Sequence, residues 1–183
     1  MQTGAGMTLP NFASAGKKVF VTSVKGTGNL STWPDAGENT GIAAGDVICR
    51  ARAQAGGLAN ASNFKAWLSD ASVNAIDRLT SNGPWVRPDG VKVADNKADL
   101  SDGVLFTAIS QTETGTYVSP EVWSGTENNG QLYSRVNSTC NDWTTVQDFD
   151  KGVSGESSLS YTYWSKLGFS LCSYNLALYC FED

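Results

Sequence analysis

Apolar residues in this 183-residue chain come in short runs broken by glycine, proline and small polar residues, and few of the runs keep a helical spacing. Val19-Phe20-Val21-Thr22-Ser23-Val24 is β-branched, is flanked by Lys17-Lys18 and Gly26, and predicts a first strand. Gly26 to Gly45 then reads as a long loop that contains Trp33. Asp46 offers an N-cap, and Val47, Ile48, Cys49, Ala51, Ala53 and Ala55 predict a helix that stops at Gly56-Gly57. The segment from Phe64 to Asp70 is too short for a decisive period and is read as a strand. Ala75 to Leu79 adds a helical turn. Asn82-Gly83-Pro84, Pro88-Asp89-Gly90 and Ser101-Asp102-Gly103 punctuate a hairpin-rich middle. Val104-Leu105-Phe106, Val122-Trp123-Ser124-Gly125 and Leu176 to Phe181 read as core strands, with a polar, glycine-rich and aromatic span between Trp123 and Cys172. No internal repeat of fixed period is present.

The four cysteines and the absence of histidine change this picture most. An even cysteine set with no Cys-x-x-Cys spacing and no histidine to complete a zinc tetrad reads as disulfides formed in an oxidising compartment. Without histidine the chain also lacks the commonest general base near neutral pH, so Ser-His-Asp and Cys-His chemistry is excluded within one chain. Chance carboxylate pairs such as Asp142 with Asp148, or Glu121 with Glu127, are abundant among 18 acids, and the chain is read as a binding protein rather than an enzyme.

A formal net charge of −5, with 13 Lys and Arg spread thinly, argues against nucleic acid as a partner. Lys17, Lys18 and Lys25 make at most a small basic spot. No stretch reaches the roughly 20 apolar residues of a bilayer span, so direct membrane insertion is not expected. Residues 1–17 lack the pattern of a secretion signal and read as a linker, an artificial start or the junction to a preceding region. Residues 18–183 read as one domain. The expected location is the cell surface or the extracellular space, with any export signal outside this chain.

Several blocks occur together in a fixed order. They are Asp46-Val47-Ile48-Cys49 with Gly57-Leu58 and Phe64-Lys65-Ala66-Trp67-Leu68-Ser69; Asp102-Gly103-Val104-Leu105-Phe106; Val122-Trp123-Ser124-Gly125 with Asn129-Gly130; Cys140-Asn141-Asp142-Trp143-Thr144; and Cys172 with Leu178-Tyr179-Cys180-Phe181-Glu182. This series resembles the endostatin-type domain of collagens, and is more similar still to a bacterial surface-lipoprotein domain family of unassigned function. The resemblance implies an α+β, C-type-lectin-like fold: a mixed, mainly antiparallel sheet with one or two helices and long loops. It also implies nested disulfides, Cys49 with Cys180 and Cys140 with Cys172. On a loop-entropy basis such bridges contribute at most about 5 and about 4 kcal/mol. Endostatin's zinc and heparin activities do not transfer, because this chain has no histidine and a negative net charge.

The polar span supplies the candidate ligand residues: Asn128, Asn129, Asp142, Tyr161, Tyr163 and Trp164, joined by Trp33 and Trp85 from other loops, since exposed aromatics in polar loops are contact residues. Tyr161-Thr162-Tyr163-Trp164 is the best single cluster. Trp67, Trp123 and Trp143 are assigned to the core. In lectins of the related fold this region holds calcium; here the corresponding oxygen set is Glu127, Asn129 and Asp142, without the Glu-Pro-Asn or Gln-Pro-Asp signature of calcium-dependent sugar lectins. No other cofactor is expected. The resulting expectation is an extracellular recognition or adhesion domain, the distal part of a larger adhesin or fibre, binding a surface glycan or glycoprotein. The alternative is a structural or oligomerisation module, a homotrimer for instance.

Overall fold

The computed structural model describes residues 16–133 and 138–183. Its frame is a sheet of eight strands: β1 (Lys17–Val21), β2 (Phe64–Ala66), β3 (Trp85–Val86), β4 (Lys92–Ala94), β5 (Glu121–Trp123), β6 (Lys151–Glu156), β7 (Gly168–Leu171) and β8 (Ala177–Glu182). The order is β4-β3-β1-β8-β5-β6-β7, with β2 also on β8. Most pairings are antiparallel; β1 with β3 and β5 with β8 are parallel. The class is therefore α+β with a mainly antiparallel sheet and few helices. The strand that opens the predicted domain begins at Lys17, and residues 1–15 of the predicted linker lie outside the described residues.

β8 holds the sheet together. β1 runs along one edge, from Val19 opposite Phe181 to Val21 opposite Tyr179. The other edge takes β5 at Ala177 and Leu178 and β2 from Cys180 to Glu182. All six residues of β8 are buried, which requires cover on both faces. Side-chain alternation then sorts the core into two layers. Leu178 and Cys180 of β8 pack with Phe20, Trp123 and the buried side of helix α1 (Gly41–Ala55). Ala177, Tyr179 and Phe181 pack with Val19, Val21, Val122 and the rings of Trp67, Trp85 and Trp164.

The helix starts earlier than the sequence suggests. Thr40, in extended backbone, precedes it, and Ala44, Ile48, Cys49 and Ala53 form its buried stripe. Asp46 is not an N-cap: its carboxylate accepts from Ala66 N at 2.9 Å and from Arg78 Nη2 at 2.6 Å, tying α1 to β2 and to the short helix α2 (Ala75–Arg78). Gly57, at φ +67, ends the helix in the left-handed conformation that glycine adopts without steric cost. A third short helix, α3 (Lys97–Ser101), is capped by Asn96, whose side chain accepts from Ala98 N and Asp99 N.

Two further expectations fail. Val104-Leu105-Phe106 is not a core strand: Leu105 is buried, while Val104 and Phe106 project into solvent. The span from Trp123 to Cys172 is not loop throughout, because its glycine- and serine-rich parts supply β6 and β7 at the sheet's edge. Lys17 and Lys18 open β1 while Lys25 lies past its end, so the three lysines do not follow one another on the strand.

Both disulfides are present, Cys49–Cys180 and Cys140–Cys172, in the nested pairing the resemblance implies. The first fastens α1 to β8. The second anchors a four-residue left-handed turn, Cys140 to Trp143, with φ between +50 and +65 at four non-glycine residues. Left-handed backbone costs roughly 1–2 kcal/mol per residue, so this turn needs outside restraint. Besides the disulfide, Trp143 Nε1 donates to Ser69 O at 2.9 Å and Asp142 Oδ1 accepts from Ala71 N at 3.0 Å.

Candidate functional site

The predicted ligand residues divide sharply by burial. Trp33, Trp85 and Trp164 are not surface contacts but core residues. Trp33 Nε1 donates to Thr27 O at 2.9 Å, and its ring lies so close to Gly26 that a Cβ there would sit 2.2 Å from it. Trp85 Nε1 donates to Glu182 O, with the ring edge-on to Phe181. Trp164 packs between Trp67 and Tyr179, and its carbonyl accepts the Tyr179 hydroxyl at 3.0 Å. Trp85 opens strand β3, while Trp33 and Trp164 lie in or beside short 3-10 turns, and in each place the indole contributes more buried than exposed.

Tyr161 and Tyr163 do reach solvent, at 49% and 45% exposure, as a T-shaped pair with ring centroids 5.5 Å apart. The short 3-10 turn Thr162–Trp164 buries only Trp164 and throws the tyrosines outward. Alongside, Leu105 N donates to Ser160 O, so the exposed Val104 and Phe106 stand on the neighbouring segment. Exposed apolar and aromatic side chains thus occur on two hydrogen-bonded segments.

The oxygen set raised for calcium is employed locally. Glu127 pairs with Lys166, Asn129 Oδ1 accepts from Gln131 N at 3.0 Å, and Asp142 is engaged by Ala71 N and Thr139 Oγ1. Asn128 lies against Gly103, where a Cβ would come within 2.7 Å of its Nδ2. Among the described residues no group of three or more His, Cys, Asp or Glu is placed to hold a metal ion.

An open concavity lies elsewhere, at the end of the sheet where β5 and β8 begin and β6 ends. It is a cleft of about 540 Å³ whose walls include Lys25, Glu121, Glu156, Tyr174 and Asn175. A smaller hollow of about 260 Å³ adjoins it through Lys25, Ser119 and Pro120. Register explains the assembly. Gly26 bridges Leu176; Val122 pairs Ala177, so Glu121 stands one step back beside Leu176; and Glu121 pairs directly with Glu156. One row of four positions thus runs from Gly26, past the end of β1, through Leu176, just ahead of β8, to Glu121 and Glu156.

Glu121 is held in place from behind. Its Oε2 accepts from Ser170 Oγ at 3.0 Å and Ser154 Oγ at 3.4 Å, and these two buried hydroxyls lie 3.1 Å apart. Glu156 accepts from Ser158 N and Oγ at its strand's end. Burial, and then the nearby Glu156 charge, push the Tyr179 phenol well above its ordinary range. Neither Glu121 nor Glu156 forms an ion pair among the described residues, and Lys25 forms none either. Tyr174, 56% exposed, supplies the aromatic wall.

Sequence reasoning had Glu121 only as a chance partner of Glu127 and missed Glu156, Tyr174 and Asn175. Pro120-Glu121 ahead of Val122-Trp123 marks an acid opening a core strand, but no sequence signal reveals that β6 brings a second acid opposite it. Compared with known proteins, the chain matches no protein-family model and no curated protein.

Proposed function

We propose that this is an extracellular recognition domain of C-type-lectin-like fold that binds a surface glycan in the cleft over Glu121 and Glu156. The observation that carries the reading is Glu121, an exposed carboxylate fixed from behind by two buried serine hydroxyls at the mouth of a polar cleft with a tyrosine wall. Sugar hydroxyls are recognised by pre-positioned acceptors and amides, and sugar C–H faces by aromatic rings; Glu121, Asn175 and Tyr174 offer all three. Two buried disulfides stiffen the frame that presents them, which limits the ordering cost of binding. Those disulfides also favour an oxidising compartment, and with it an adhesin-like role at the cell surface.

The test is a glycan array followed by calorimetry on the native domain, Glu121→Gln and the Ser154→Ala/Ser170→Ala pair. Binding that survives both variants undiminished, or no retention of any glycan, counts against the reading.

A second reading, a self-assembling module, is favoured by one observation: the exposed side chains of Val104, Phe106, Tyr161 and Tyr163 on two hydrogen-bonded segments. Large exposed apolar patches mark protein contacts. Light scattering across a hundredfold concentration range decides it. A concentration-independent monomer eliminates self-assembly, and an oligomer abolished by Phe106→Ser with Tyr163→Ser supports it.

A further inference from the structure

We propose that strand β7 pairs with β7 of a second copy of this chain, antiparallel about a two-fold axis at Phe169, so that one sheet continues into the next. The pairing is independent of the glycan reading and of the side chains of Val104 and Phe106. The two ends of the strand order differ. At the β4 end the edge is guarded: Lys92 lies in the strand, the pairing with β3 shifts register between Trp85 and Val86, and Phe106 N already donates to Val93 O. At the β7 end nothing comparable stands among the described residues. Leu167 to Cys172 carries neither charge nor proline. Cys172 N donates to Asp150 O, so alternation turns the amides and carbonyls of Phe169 and Leu171 away from β6, toward the open edge.

The second copy is the occupant because β7 complements itself. With Phe169 on the axis, Leu167 faces Leu171 and Gly168 faces Ser170, so apolar side chains meet on one face and small ones on the other. Leu167 and Phe169 are 42% and 47% exposed, and Tyr133 backs the Phe169 ring edge-on, with 5.2 Å between centroids. Each Phe169 amide donates to the other's carbonyl. Lys151, the charge beside Leu171 on β6, falls in the row of the second copy's Leu167, so the two lysines do not oppose one another. A one-residue slip sets Phe169 against Gly168 or Ser170 and mismatches both faces. Pairing consumes both β7 edges and leaves only the guarded β4 edges, so assembly stops at a dimer.

Sedimentation velocity across a range of about 1–300 µM is expected to show monomer passing to dimer, with a midpoint of about 10–100 µM for so short an edge. Phe169→Lys, its circular dichroism native, should weaken the dimer by about tenfold or more, while Phe106→Ser leaves it unchanged. All four native cysteines are paired, so Phe169→Cys adds a single thiol. Under mild oxidation it should link chains about tenfold or more faster than Tyr163→Cys, a comparably exposed position. Should Phe169→Lys fail to fold, the linking rates decide. A monomer at every concentration, a dimer untouched by Phe169→Lys, growth beyond two chains, or equal linking rates overturns the pairing.

Discussion

Close packing around the Cys140–Cys172 bridge makes a quantitative prediction. A Cβ added at Gly28 would lie 2.3 Å from Cys140 Sγ, 2.7 Å from Cys140 Cβ and 3.2 Å from Cys172 Cβ. Non-bonded heavy atoms prefer separations near 3.5–4.0 Å, so the sulfur contact falls short by more than about 1 Å. Neither side can yield easily. Gly28 N donates to Cys172 O at 2.8 Å, and the bridge is pressed from another side by Gly152, whose own added Cβ would sit 3.0 Å from the same sulfur. Gly28→Ala is therefore expected to destabilise by about 3 kcal/mol, the upper part of the overpacking range, and to lower Tm by about 6–12 °C. Urea unfolding followed by tryptophan fluorescence reads this well, because all six tryptophans are buried. A double-mutant cycle supplies the decisive control. Removing the bridge with Cys140→Ala/Cys172→Ala costs up to about 4 kcal/mol of loop entropy, but it also clears the space the new methyl needs. The combined variant should recover about 1.5 kcal/mol or more relative to additivity. A Gly28→Ala cost within about 0.5 kcal/mol of zero, or a full cost that persists without the bridge, refutes the packing argument.

Other outcomes follow from the charged and exposed groups. Burial by itself raises the Asp183 carboxyl, but the Lys65 ammonium at 2.6 Å and the donors of Thr80 and Ser81 outweigh it and hold the group at about 2, against 3.8 ordinarily. Its stabilising effect, about 2 kcal/mol, is complete above about pH 4 and is lost as pH falls through about 2. Asp183→Asn should flatten that part of the stability–pH curve measured by urea unfolding. Arg52→Ala strands the Glu113 carboxylate, whose side chain is fully buried, with Ser23 as its remaining donor; a loss of about 3–5 kcal/mol is expected by chemical denaturation. Tyr161→Ala and Tyr163→Ala, by contrast, should each shift unfolding by no more than about 0.5 kcal/mol, because half of each ring is already in water.

The legible parts of this fold were those fixed by local chemistry. Val19-Phe20-Val21, Val122-Trp123 and Leu176 to Phe181 read as strands because β-branched and aromatic runs between turn residues have few alternatives, and Gly56-Gly57 marked the helix end. Asp46 misled because an acid before an apolar run looks the same whether it caps a helix or clamps Arg78 from a distance. The tryptophans misled for a related reason. Proline, glycine and serine neighbours suggest a loop, but Trp85 opens strand β3, and Trp33 and Trp164 lie where short turns pack onto the core. The serine- and glycine-rich sequences of β6 and β7 carry almost no strand signal of their own, since their hydrogen-bonded position beside β5 decides their state. For the cleft the obstacle was register. Lys25, Glu121, Glu156 and Tyr174 are scattered over 150 positions and meet only because the ends of β5, β6 and β8 lie beside the segment that follows β1.

The place of β8 at the middle of the sheet has a consequence for how the domain comes into being. As a nascent chain emerges, β1, β2 and β5 are complete long before residues 177–182, yet each uses β8 as a neighbour. Until that hexapeptide appears, their backbone amides and carbonyls stand open along sticky flanks of the kind that invite intermolecular pairing. The domain must close in one late, long-range step, the topology that folds slowly, and its yield should rise with any factor that keeps the incomplete polypeptide apart from its copies.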